Sequence, residues 1–326
     1  MVDRLDRGIL HCLMLDGRVA FRRAAEVLGV SEQTVARRYR RLRGDGVVRV
    51  VGLVDLGQPA HTIWQLRIKA RSDHVVSLAA ALAAREDVSW VTIGSGGTEV
   101  LASLRAPDAA DRDDLLLRRL PGSARVLDMT AVAVLHRFPP PDGADFRVPS
   151  DLATPAAFAT LLAPRPGLSP DAPRLLPADQ PLLQALAADG RASAAELGRA
   201  TGWGEARAGQ RLRTLLAGGR VYIDTDAALE ALDYRSSAHL WLTVEPRTLR
   251  SNGEALAGHP DVAFVGAITG TANLLVSVIL TDPAALYAFL AEPLGRLDGV
   301  RQVEVAPVLR WVKQAGTLVE GARLKL

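Results

Sequence analysis

The chain has 326 residues, 48% of them hydrophobic, which is enough for two or more ordinary cores and excludes a disordered polypeptide. Net charge is only +3, yet residues 1–50 carry eleven arginines against six acids, a localised excess that fits a polyanion partner without making the whole chain basic. Cys12 is the only cysteine, so intramolecular disulfides and cysteine-cluster metal sites are excluded, and its apolar surroundings read as a buried thiol.

Leu5, Ile9 and Leu13, with Leu10 and Met14, form the apolar stripe of a first helix, closed by the turn Asp16-Gly17-Arg18. A short second helix spans residues 21–28, and Gly29-Val30 is a tight turn. Ser31 then caps a third helix on which Val35, Tyr39 and Leu42 face inward and Arg37, Arg38, Arg40, Arg41 and Arg43 fall on the remaining surface. Gly44-Asp45-Gly46 ends it, and Val47–Val51 reads as a strand, the wing of a winged helix-turn-helix. Next come a strand over 62–69, with Trp64, Leu66 and Ile68 alternating, a helix over Asp73–Ala84, strands over 88–93 and 100–104 joined by Gly94-Ser95-Gly96-Gly97, a helix over Pro107–Arg119 and a strand over Arg125–Leu135. That βαββαβ order describes a ferredoxin-like sandwich. Residues 139–176 are proline-rich and read as a linker, with one short helix at 155–162.

The pattern then returns. Asp6 and Asp179, Leu10 and Leu183, Leu13 and Leu186, Arg38 and Arg211, Arg40 and Arg213, and Leu42 and Leu215 are each 173 positions apart, as are the two Asp-Gly-Arg turns. The sandwich repeats at an offset of 174, with Trp90 matching Phe264 and Glu99 matching Asn273. A constant offset over whole units marks internal duplication. The expected fold class is α+β, a duplicated winged helix-turn-helix followed by a ferredoxin-like sandwich. The expected domains are 1–52, 60–138, the linker 139–176, 177–225 and 236–315.

In their order, Leu5-Asp6-Arg7, Asp16-Gly17-Arg18, Gly29-Val30-Ser31 and Arg38-Tyr39-Arg40-Arg41-Leu42 resemble the Lrp/AsnC family of transcription regulators in its tandem, fused form. The resemblance implies double-stranded DNA as partner, with Ser31, Glu32, Gln33, Thr34, Arg37, Arg38, Arg40 and Arg41 as contacts in the first module and Arg207, Arg211 and Arg213 in the second. The N-terminal end of the third helix is best placed for base edges, while Arg38, Arg40 and Arg41 would clamp phosphates. Copy two starts its third helix on Gly204 and carries Gly209 inside it, so the first module should hold most of the affinity. The resemblance also implies an effector, often an amino acid, at Gly94, Gly96, Thr98, Glu99, Gly270, Thr271 and Asn273. Glycines there open backbone N–H groups to a carboxylate, but the same residues suit plain hairpin turns.

The rival class is an enzyme, because tandem sirohaem decarboxylases share this pair of modules; a scaffold with vestigial DNA heads is a third reading. The six histidines (His11, His61, His74, His136, His239 and His259) are scattered, and no catalytic or metal-ligand spacing appears, so the expectation is no enzyme, no metal and no cofactor. Residues 1–7 lack a signal-peptide run and no stretch approaches a membrane span, which leads one to expect a cytoplasmic homo-oligomer without membrane contact.

Overall fold

The computed structural model describes residues 2–55, 62–105, 109–123, 125–140, 146–163, 169 and 171–325. His61, the expected helix start at Pro107 and the prolines at 141, 164, 166 and 170 lie outside the described residues. The first module holds α1 (Arg4–Leu15), α2 (Phe21–Leu28), α3 (Glu32–Gly44) and β1 (Val48–Val54). Its boundaries are chemical. Asp3 and Asp6 form a reciprocal capping box at the start of α1, Gly29 ends α2 in the left-handed region at φ 66°, and Ser31 accepts from Thr34 N at the start of α3. The first sandwich follows as β2 (Trp64–Ala70), α4 (Val75–Ala83), β3 (Val88–Gly94), β4 (Glu99–Leu104), α5 (Ala109–Asp114, continuing as a π-helical turn to Arg119) and β5 (Val126–Arg137).

The stretch expected as a linker contains α6 (Pro155–Ala159) and is not a bare spacer. Val148, Phe158 and Leu161 are buried, the Val148 carbonyl lies 2.8 Å from His11 Nδ1, and Ala163 N donates to Leu15 O at 3.2 Å, so this stretch completes the core behind α1. Proline blocks long regular elements but does not prevent apolar side chains from docking. The second module then repeats as α7 (Gln180–Ala188), α8 (Ala194–Thr201), α9 (Glu205–Ala217) and β6 (Val221–Ala227). The second sandwich comprises β7 (Ser236–Val244), α10 (Leu249–Ala257), β8 (Val262–Ile268), β9 (Leu274–Leu280), α11 (Pro283–Ala291) and β10 (Val300–Lys313), and the chain closes with the small hairpin β11 (Val319–Glu320) and β12 (Arg323–Leu324).

Two compact units result. One gathers residues 1–58, 147–231 and 315–326, so it contains both helix-turn-helix modules. Here β1 pairs antiparallel with β6 from Val48↔Ala227 to Val54↔Val221, and Val51 lies opposite Asp224, its own counterpart in the repeat. The strand expected to be a wing is therefore a joint between the copies: its hydrogen-bonding edge is taken by the other copy. The Asp-Gly-Arg turns lock the same joint. Arg18 donates to the carbonyls of Gly190 (2.5 Å) and Ala192 (3.0 Å), and Arg191 donates to those of Gly17 (2.6 Å) and Val19 (2.8 Å). Glycine is required at 190 because a Cβ there would lie 2.8 Å from the Val51 carbonyl carbon.

The other unit contains both sandwiches. Leu66 and Ile68 face the first core; Leu240, Leu242, Val276 and Val278 face the second, under α10 and α11. The two four-stranded sheets join edge to edge, β5 against β8 and β10 against β3, and close an eight-stranded barrel. Pairing of the sandwiches within one chain, which patterning leaves open, is thus realised here. Closure also removes the unpaired sheet edges that favour aggregation. No helix among the described residues is long and apolar enough to cross a membrane.

Candidate nucleic-acid interface and effector site

Helix α3 buries Val35, Tyr39 and Leu42 and turns Glu32, Gln33, Arg37 and Arg40 outward. The Ser31 and Thr34 hydroxyls lie 2.8 Å apart and are spent on each other and on the cap. Tyr39 is core, its ring 5.3 Å from Phe21 and under the Arg191 guanidinium. The arginines divide into two sets. Arg38 is paired with Asp3 and with Asp6, the latter at 3.1 Å, and Arg41 is also paired with Asp6. The cause is Asp6, a carboxyl with no exposure whose oxygens are met by these two guanidiniums. Arg38, expected to clamp phosphate, is thus a brace between α1 and α3, and half-exposed Arg41 is shared with the same carboxylate. Arg43 reaches Asp189 at 2.6 Å. Among the described residues nothing pairs with Arg37, and Arg40 bonds only the Ala36 carbonyl at 3.3 Å.

The second module repeats the brace. Asp179 is buried, and Arg211 donates to its two oxygens at 2.8 and 2.6 Å and to the Arg174 carbonyl. The guanidinium holds the Asp179 carboxyl below the usual carboxylate range, against the opposing pull of burial. Arg211 therefore also belongs to the fold rather than to a free basic face. Arg213 bonds Gln210 Oε1 at 2.7 Å, and exposed Arg207 lies over the Trp203 ring. Arg49, on the strand expected to be the wing, donates to the carbonyls of Lys325 (2.9 Å) and Ala188 (3.2 Å).

In the barrel, the turn through Gly94, Ser95, Gly96, Gly97 and Thr98 is hairpin-like, with Ser95, Gly96 and Gly97 all at positive φ. Thr98 Oγ1 donates back to Ser95 O. Glu99 is not open to a ligand ammonium: it is buried, bound bidentately by Arg67 (2.9 and 3.1 Å from Nη2) and touched by Ser95 Oγ at 2.7 Å. Arg67 also bonds Glu304 at 2.5 Å and lies over the Trp241 ring. Asn273, the counterpart of Glu99, is likewise engaged. Its amide bonds both Val244 N (2.9 Å) and Val244 O (2.8 Å), stapling β7 to the β8–β9 turn. Thr271 O accepts from Thr243 Oγ1, and Gly270 has φ 106°. Side-chain chemistry is therefore largely satisfied in both turns, and Gly96 is the open point, with no atom within 4 Å of an added Cβ.

Sequence reasoning passed over a second polar set on the inner face. His239 lies 2.8 Å from Ser277 Oγ and 3.3 Å from Thr92 Oγ1, and burial pulls its pKa down to about 4. Its repeat counterpart is Gln65, which accepts from Ser103, the counterpart of Ser277, at 3.0 Å. The 174 offset linking these two pairs was the available signal.

The arrangement is thus two helix-turn-helix modules joined about a pseudo-dyad and a pair of ferredoxin-like sandwiches closed into one barrel. Residues 2–43 match the AsnC-type helix-turn-helix domain, and residues 237–318 match the Lrp/AsnC ligand binding domain. An uncharacterized HTH-type transcriptional regulator of Pyrococcus abyssi is 30% identical over 140 residues, which cover 42% of this chain and 87% of that protein. The HTH-type transcriptional regulator LrpA of the same organism is 27% identical over 141 residues, covering 42% of this chain and 99% of that one. The chain belongs to the Lrp/AsnC family of DNA-binding transcription regulators. Among solved structures, the siroheme decarboxylase NirDL matches with a TM-score of 0.61 at 15% identity, covering 96% of this chain and 93% of its own. Its co-complex with an iron-uroporphyrin III analogue matches with a TM-score of 0.60. The expectation that the chain is no enzyme is thereby overturned: an enzyme has this fold over nearly the whole chain. At that identity the likeness defines the fold and carries no reaction over to this chain.

Proposed function

We propose that this chain is a sequence-specific transcription regulator in which one polypeptide supplies both DNA-reading heads. The observation that carries this reading is the β1–β6 joint, which relates α3 and α9 by a pseudo-dyad while leaving Gln33, Arg37 and Arg40 exposed on α3. Glu32, Gln33, Thr34 and Arg37 lie at the end of the helix that meets base edges, and Arg40 takes phosphate. Ser31 acts by holding the helix start. The first module carries most of the affinity. A small effector, an amino acid in the simplest case, binds at the Gly94–Thr98 and Gly270–Thr271 turns and modulates DNA binding, gripped by backbone N–H groups because Glu99 and Asn273 are already engaged. Association of chains through the sandwiches completes the assembly.

The test is binding to the intergenic DNA upstream of the protein's own gene, comparing the parent with Arg37→Ala/Arg40→Ala across a range of salt. The double variant should bind about 10–100-fold more weakly, with a shallower salt dependence, since each lost phosphate contact removes roughly one unit of slope. Equal, salt-insensitive binding by both proteins would sink the reading.

The buried polar pair of His239 and Thr92, in a fold that NirDL shares over nearly the whole chain, supports a second reading, a decarboxylase acting on a tetrapyrrole. Here the inner-face groups His239, Thr92 and Arg67 would be the polar contacts for the macrocycle. Titrating purified protein with iron-uroporphyrin III should then shift the Soret band, and His239→Gln should reduce that shift several-fold. An unchanged spectrum at excess protein removes this reading.

A further inference from the structure

Helix α9 carries three arginines, and two are committed: Arg211 to Asp179 and Arg213 to Gln210. Arg207 is exposed and makes no hydrogen bond or ion pair with any described residue. Yet it is not loose. Its guanidinium carbon lies 4.6 Å from the centroid of the Trp203 ring. Trp203 is itself anchored, packed against the buried cluster of Leu182, Leu197 and Leu212, and its carbonyl lies so close to Gly198 that a Cβ there would approach it to 3.1 Å.

Stacking on an indole uses the face of the guanidinium and leaves its N–H edges unspent. Two parallel donors on a rigid edge are what the O6/N7 pair of guanine accepts. Arg207 is the third residue of a 13-residue helix, within the turn where recognition helices meet base edges rather than the backbone. In the first module the equivalent residue is Thr34, whose hydroxyl is turned to Ser31, and the equivalent of Trp203 is Val30. The same place on the two recognition helices therefore presents different chemistry.

We propose that Arg207 reads a guanine in the half-site facing the second module, with Trp203 as its positioning residue. The operator is then asymmetric, with a guanine required in one half only. This rests on the DNA-regulator reading and gives Arg207, expected as a DNA contact, a base rather than a phosphate as its target.

The experiment is selection of binding sites from randomised duplexes by the full chain, its Arg207→Ala, Arg207→Lys and Trp203→Leu variants, and Arg37→Ala/Arg40→Ala as the first-module control. The expected result is an asymmetric site for the parent. In that site, replacing the one guanine by 7-deazaguanine costs roughly 10–100-fold for the parent and almost nothing for Arg207→Ala. Arg207→Lys keeps the charge and should lose the guanine preference. Trp203→Leu should keep the preference but weaken it, and the first-module variant should leave it in place. If Arg207→Ala weakens all sequences equally and lowers the salt slope by about one, Arg207 is a phosphate clamp and the proposal falls. Base preferences identical in parent and Arg207→Ala overturn it alone. A parent that enriches no sequence overturns the regulator reading and this proposal together.

Discussion

Replacing Asp6 with alanine should cost the helix-turn-helix unit about 3–5 kcal/mol, the usual consequence of removing one member of a buried ion pair. Asp6 has no exposure, accepts from Asp3 N at 3.0 Å, and takes both Arg38 and Arg41. Without it, Arg38 keeps a single exposed partner and the start of α1 loses half of its capping box. Asp179→Ala should act similarly through Arg211. Urea unfolding followed by far-ultraviolet circular dichroism measures both, and a change below about 0.5 kcal/mol would show that the brace is ornamental. The same chemistry decides how DNA-binding variants must be chosen. Substituting Arg38 removes a structural partner, so weaker DNA binding by an Arg38 variant would report folding and contact together. Arg37 and Arg40 separate the two.

A second large effect should appear at Asp226. This residue of β6 is buried, and its carboxyl is pushed up to about 7, mainly by burial and further by the charge of Asp224. Its cross-strand neighbour Arg49 is spent on the carbonyls of Lys325 and Ala188, so among the described residues no cation pairs with it. Its acceptor contacts are the backbone N–H groups of Ala315 and Gly316, both at 3.3 Å. In the unfolded chain the group ionises near 4, so between about pH 4 and 7 the folded state holds a proton that the unfolded state has released. The contribution to stability is therefore fully present below about pH 4, falls as pH rises through 7, and remains lost above it. Asp226→Asn removes the titration and keeps one carbonyl oxygen, so only one of the two N–H groups, which bond different carboxylate oxygens, retains its acceptor. The variant should be more stable than the parent at pH 8, by roughly 2–4 kcal/mol for a displacement of about three units, and close to it at pH 4. Parallel stability curves for the two proteins across that range would refute the assignment.

What was legible in the sequence was local or repeated. The start of α3 at Ser31 depends on residues three apart, and the cap forms. The two Asp-Gly-Arg turns were visible as a repeat. What they do was not, because each arginine bonds carbonyls some 170 positions away. The strand at Val48–Val54 was visible as a strand, but its partner was not: alternation specifies a buried face and is silent on which edge is paired. Arg38 shows the sharper lesson. On a helical wheel it belongs to a basic face, as Arg37 and Arg40 do. The repeat nevertheless held a clue, since Asp6 with Arg38 and Asp179 with Arg211 are retained together, whereas Arg41 has become Thr214. A charge pair kept jointly in both copies points to a partner within the fold. The effector turns illustrate the opposite limit. Glu99 belongs to the expected effector set, yet it is claimed by Arg67, 32 positions away on the paired strand, which gives no local sign of doing so.

The joint between β1 and β6 also changes the physical order of assembly. When two separate chains pair, the fraction of competent readers falls with dilution. Here the partner strand is tethered, and its effective concentration is set by the connecting chain and not by how much protein is made. The paired heads therefore persist at any expression level, down to a few molecules, and no exchange of subunits with relatives can scramble them. However sparsely its gene is transcribed, the two modules of one chain stay joined, so a concentration threshold can enter only where whole chains associate.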